Sequence, residues 1–122
     1  MEVTKAVAPK TVDQVVAWEI ETTYTTETRV WAAGVPVTEI GQVYGVVTSN
    51  GTIKPHDVAN SDGSEVAAGI ALTRGVAGET CAGLENGPAI VFVDGLIFKA
   101  GISAPNKAAA LAALRAKLIK AR

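Results

Sequence analysis

Cysteine is nearly absent. Cys81 is the only one in 122 residues, so no intramolecular disulfide can staple this chain. With no histidine or cationic cluster beside it in sequence, Cys81 is expected to be a small buried apolar residue and not a reactive thiol. Histidine is also single, and the aromatics number two Trp, two Tyr and two Phe. Six rings are few for a surface that binds glycans by stacking. Long apolar runs are missing, and nothing approaches the roughly 18 residues a spanning helix needs. The opening Met-Glu-Val-Thr-Lys has no apolar segment, so no secretory signal is expected. The chain therefore reads as a soluble protein made in a reducing cytoplasm. Net charge is lacking too: 11 basic against 12 acidic residues give −1. A general nucleic-acid binder would carry a basic excess.

What is present is apolar and punctuated. Hydrophobic residues make up 48% of the chain and glycines number 12, which excludes disorder throughout and fits one domain with a modest core. The neutral total hides an asymmetry. Residues 1–40 hold Glu2, Asp13, Glu19, Glu21, Glu27 and Glu39 against Lys5, Lys10 and Arg29, whereas Lys107, Arg115, Lys117, Lys120 and Arg122 close the chain without an acid. Those terminal bases suit a solvated helix face and the negative end of its dipole.

Residues 12–20 alternate. Val12, Gln14, Val16, Trp18 and Ile20 fall on one side of an extended chain, and Asp13, Val15, Ala17, Glu19 and Glu21 on the other, which reads as a strand. Thr22–Thr28 favours extended structure with little core, and Arg29–Ala33 reads as a second strand. From Gly41 the texture tightens. Val43–Thr48 and Thr52–Lys54 flank Asn50-Gly51, a hairpin signal in which both central residues would take positive φ. Pro55–Ser64 is a loop of turn formers. Val66–Leu72 is a strand whose Gly69 implies a bulge or close backbone approach. Ala89–Val93 and Leu96–Ala100 flank Asp94-Gly95 as a second tight hairpin, apolar enough to be buried on both faces. A helix over 105–120 follows, capped by Ser103 or Asn106, with Pro105 in its first turn and Leu111, Leu114, Leu118 and Ile119 as its apolar stripe.

No catalytic constellation emerges. His56 beside Asp57 has no matching Ser or Cys context and reads as an exposed loop histidine. Asp57, Asn60, Asp62 and Glu65 lack the alternate-position spacing of a calcium loop. The glycines open no helix, so they form neither a phosphate loop nor a dinucleotide fingerprint. Asn50-Gly51-Thr52 fits the N-glycosylation pattern, but without a signal it would not meet that machinery. No metal, cofactor or enzymatic activity is expected.

The order of turns and strands carries more than any single motif. Gly41, Val43, Gly45, Gly51, Asp62-Gly63-Ser64, Gly69 and Ile70, then Asn86-Gly87-Pro88-Ala89-Ile90-Val91 and the Leu-rich helix, together resemble the lambda-type head decoration proteins of tailed bacteriophages. The resemblance spans about residues 30–119. The tail departs from it, ending Lys-Leu-Ile-Lys-Ala-Arg where the family usually has a Gly-Ile-type ending.

The expected fold is mainly β (α+β): a β-rich domain over 41–122 with tight hairpins and one C-terminal helix, preceded by an extended arm with leader strands over 1–40. The resemblance implies a homotrimer on the outer surface of the mature head, at three-fold and quasi-three-fold axes, stabilising it against DNA pressure. Its partners would be the major capsid protein and itself, with no nucleic acid and no membrane. Residues 3–20 would add to a capsid sheet edge through Val12, Val15, Val16, Trp18 and Ile20. Trp31, Ile90, Phe92, Leu96 and Phe98 would lie in the core or trimer interface, Gly51, Gly63 and Gly95 in turns, and Lys120 and Arg122 against acidic capsid surface. The alternative is a β-rich receptor-binding or adhesion module on a phage tail or virion.

Overall fold

The computed structural model describes residues 11–122. Part of the proposed arm, residues 1–10, lies outside that range. Over the described residues the chain is mainly β, with eight strands in two sheets and a helix near the C-terminus. A 3-10 turn at Val12–Gln14 leads to β1 (Val16–Glu19), a one-turn helix α1 (Thr22–Thr25) and β2 (Thr26–Val30). Then come β3 (Val43–Val46), β4 (Ile53–Pro55), β5 (Gly69–Ala71), β6 (Thr80–Leu84) and β7 (Ala89–Val91). After a 3-10 turn at Val93–Gly95, α2 (Ala104–Arg115) and β8 (Ile119–Ala121) complete the chain.

The larger sheet has the order β2-β6-β5-β3-β4, and the smaller one β1-β7-β8. Pairing is antiparallel except between β7 and β8. Period-two alternation sends neighbouring residues of the larger sheet to opposite faces. Val43, Ile70 and Leu84 face the main core, which they share with Val91 and Ile119 of the smaller sheet and Ala110 and Leu114 of α2. Tyr44, Ile53, Ala71 and Cys81 face a second cluster around Trp31. Each fully buried Leu or Ile is worth about 1.5–3 kcal/mol relative to exposure.

Several local expectations hold. β3 and β4 form the first hairpin, although its turn differs. Only Gly51 takes positive φ, at 76°, and its N–H donates to the Val47 carbonyl at 2.8 Å. The loop is therefore longer than a two-residue turn. Gly69 does mark a close approach, since it and Gly83 leave room for the Tyr44 ring, with which an added Cβ at either position would collide. Ser103 caps α2, accepting from the Asn106 N–H at 3.2 Å, and Pro105 occupies its first turn.

Others need correction. The strand expected over 12–20 begins with a 3-10 turn, and a register shift between Val16 and Trp18 breaks its alternation. Such a bulge sets two residues against one. Thr22–Thr25 is helical, with the Tyr24 and Thr25 N–H groups both donating to the Glu21 carbonyl at 3.0 Å. There is no Asp94-Gly95 hairpin. β7 already has β1 and β8 on its two edges, so the chain leaves through a 3-10 turn and only Ile97 bridges back, to Gln42. Gly95 has no positive φ. It is needed because a Cβ there would strike the Gln14 carbonyl.

The helix stops at Arg115, short of 120. Leu118 turns the chain with φ 66°, a left-handed conformation costing a leucine about 1–2 kcal/mol. The Gly87 and Ala89 N–H groups donate to the Lys117 and Leu118 carbonyls at 2.8 and 3.1 Å. That pairing draws the tail onto β7 and overrides the helix propensity of its sequence. Ile119 consequently enters the core from a strand, while Leu118 points outward.

Candidate interaction surfaces

Strand alternation builds the outer face of the smaller sheet. In β7, Ala89 and Val91 are buried while Ile90 faces out, and in β8 Ile119 is buried while Lys120 is exposed. Trp18 pairs with Ile90, and Ile90 with Lys120, so the three form one cross-strand row. Leu118 and Arg115 flank it. Together with Pro88 and Ala89 these residues line a groove of about 300 Å³. On the other side of β7, β1 pairs with no further strand among the described residues.

The leader residues divide between inside and outside. Val15 is fully buried in the main core, and Val16 packs against it partly buried. Val12, Trp18 and Ile20 are exposed, Trp18 by 50% and Ile20 by 56%. β1 and β2 pair with β7 and β6, so the strands before residue 40 belong to the same sheets as those after it.

Of the residues expected in the core or a trimer interface, Trp31 and Leu96 are core. Phe98 is partly buried against that core, with the Lys107 ammonium 5.3 Å from its ring centroid. Ile90 is partly exposed and Phe92 exposed. Lys120 and Arg122 are on and just after β8, not on a helix. Arg122 is tied by its backbone, its N–H donating to the Val91 carbonyl at 2.9 Å. Gly63 has φ 109° and sits in a turn where Asp62 accepts from the Ser64 N–H at 3.1 Å and from Lys54 at 2.6 Å. These bonds, to Lys54 first and then Ser64, hold the Asp62 carboxyl far below the usual carboxylate range.

Among the buried polar groups, Glu85 escaped the sequence reading and His56 was misplaced by it. Glu85, 3% exposed, accepts from Arg29 Nε at 2.7 Å, from the second Arg29 nitrogen at 2.8 Å and from the Tyr44 hydroxyl at 2.6 Å. Burial alone would raise the Glu85 carboxyl. The Arg29 and Tyr44 bonds, with the Arg29 charge, outweigh it and leave the group below its ordinary value. Burial, then the neighbouring carboxylate, pushes the Tyr44 phenol far up. His56 is not an exposed loop residue: it is 3% exposed and its Nε2 lies 3.0 Å from the Glu65 carbonyl. Cys81 is buried, and that burial raises its thiol.

Among the described residues, no group of three or more His, Cys, Asp or Glu side chains could hold a metal ion, and no helix is long and apolar enough to cross a membrane. The Glu85 network braces β2 against β3 and β6. Outward-facing features include the row Trp18, Ile90 and Lys120 and, among the described residues, an edge of β1 that pairs with no further strand. The fold class these observations define is a mainly β protein with a C-terminal helix. More specifically, the family model of the bacteriophage lambda head decoration protein D matches residues 6–119, and the chain belongs to that family. The family is structural, not enzymatic, and the protein is a phage head decoration protein of the virion capsid. No curated protein matches the chain.

Proposed function

We propose that this protein is a cement: a homotrimer that binds the outer surface of the mature head at three-fold and quasi-three-fold axes and stabilises it against DNA pressure. The observation that carries the reading is the edge of β1 that pairs with no further strand among the described residues, with Trp18 and Ile20 exposed beside it. Unpaired N–H and C=O groups along an edge strand are a template for another strand. Added backbone bonds would supply affinity, and alternate side chains would supply register. Val12, Trp18 and Ile20 are then the contact residues of the leader, while Val15 and Val16 anchor it to the core. The major capsid protein is the partner on the head, and the exposed Phe92 is available to subunit packing.

Cosedimentation with expanded and unexpanded heads tests this, together with the mass of the free protein. A cement binds expanded heads in multiples of three and leaves unexpanded heads bare. Binding to host cells without binding to heads would favour a receptor-binding module instead.

A further inference from the structure

Leu118 is the sole non-glycine residue with positive φ among those described, and its side chain is 63% exposed. The turn needs a left-handed residue but has no need of leucine; glycine or asparagine would take that conformation more readily. The exposed side chain recovers little of the backbone cost within the subunit. Unfavourable backbone conformations of this kind cluster where binding makes use of them.

Leu118 lines the groove with Trp18, Pro88 and Ile90, and Arg115 and Lys120 also line it, with no carboxylate among the lining residues. Trp18 belongs to β1, which among the described residues is an edge strand, so the groove adjoins that edge. An apolar floor with two cations and no acid is complementary to one kind of partner segment. We propose that this groove seats an acidic, extended segment of the major capsid protein, its carboxylates meeting Arg115 and Lys120 while an apolar side chain lodges between Trp18 and Leu118. The proposal rests on the head-binding reading above and names the chemistry of the partner.

The test is binding of purified variants to expanded heads, with melting temperature and oligomer mass followed in parallel. Leu118→Gly and Leu118→Asn should melt no lower than the wild type yet bind heads at least tenfold more weakly. The double variant Arg115→Glu, Lys120→Glu should lose a similar factor, and its residual binding should depend less on salt. Trp18 offers a direct probe, since the other tryptophan, Trp31, is already buried. Protein labelled with 5-hydroxytryptophan, excited beyond the absorption of capsid tryptophans, should lose acrylamide quenching on binding heads.

Variants that fold, assemble and saturate heads with wild-type affinity would overturn the proposal. So would loss of self-association in place of head binding, because a second copy would then occupy the groove. Wild-type protein that fails to bind heads would remove the head-binding reading and this proposal with it. A groove-specific failure is recognised by a wild type that binds and variants that match it.

Discussion

Burying the Glu85 carboxylate takes an ion out of water, and three bonds from Arg29 and Tyr44 offset that cost. Charge-assisted bonds of this kind are each worth about 1.5–3 kcal/mol. Glu85→Gln should therefore destabilise the fold by about 2–3 kcal/mol at neutral pH, and Tyr44→Phe by about 1 kcal/mol, both read by urea denaturation. The folded carboxyl lies below its ordinary value. Its contribution is thus complete above the unfolded pKa of about 4.3 and is lost as pH falls through the lower folded value. The stability gap between wild type and Glu85→Gln should narrow in acid, and an unchanged gap would show that the network is not ionic. Nothing local in the sequence announces this network, because Glu85 is 56 residues from Arg29 and 41 from Tyr44. His56 misled for the same reason: turn formers surround it, but the fold closes over it. Gly69 was legible because a glycine inside an apolar strand has few local explanations.

At the scale of elements, the leader and the tail meet on β7. The two ends of the described chain become β1 and β8, its flanking strands. Truncation before residue 11 serves as the reference, because it keeps β1, Val15 and every core residue described. Truncation through residue 20 removes β1 and the fully buried Val15, and should lower stability by about 2–5 kcal/mol for the core side chain alone. Equal melting temperatures for the two truncations would contradict the assignment of β1 to the fold. Docking of α2 rests on Ala110 and Leu114, its buried residues. Leu114→Ala should cost about 2–5 kcal/mol, measured by thermal or urea unfolding. The first hairpin, the cap at Ser103 and the start of α2 were readable because turn and cap chemistry is local. The role of β7 was not. Its apolar sequence predicts burial on both faces but not which strands lie beside it, and that choice excluded the Asp94-Gly95 hairpin. The helix end was misread because alanine favours helix, while the bonds from Gly87 and Ala89 to the tail are visible only in three dimensions.

For the whole molecule, the proposed cement role is a passive mechanical one. A cement of the proposed kind would have no turnover, and its effect would be the free energy it adds to an assembled lattice. A ligand that binds only the intact shell stabilises it by mass action, by about 2.7 kcal/mol per site at a hundredfold excess over Kd. Repetition over many sites makes a modest contact large. The asymmetry of charge along the sequence acquires a place in the fold, since Arg115 and Lys120 flank the same apolar face as Trp18. A contact with that cationic rim should weaken as salt rises, whereas the apolar and backbone contributions should persist. The most direct test is release of DNA from full heads against temperature, with and without added protein at confirmed saturation. Cementing predicts release at higher temperature in proportion to occupancy, and identical release curves at full occupancy would contradict it.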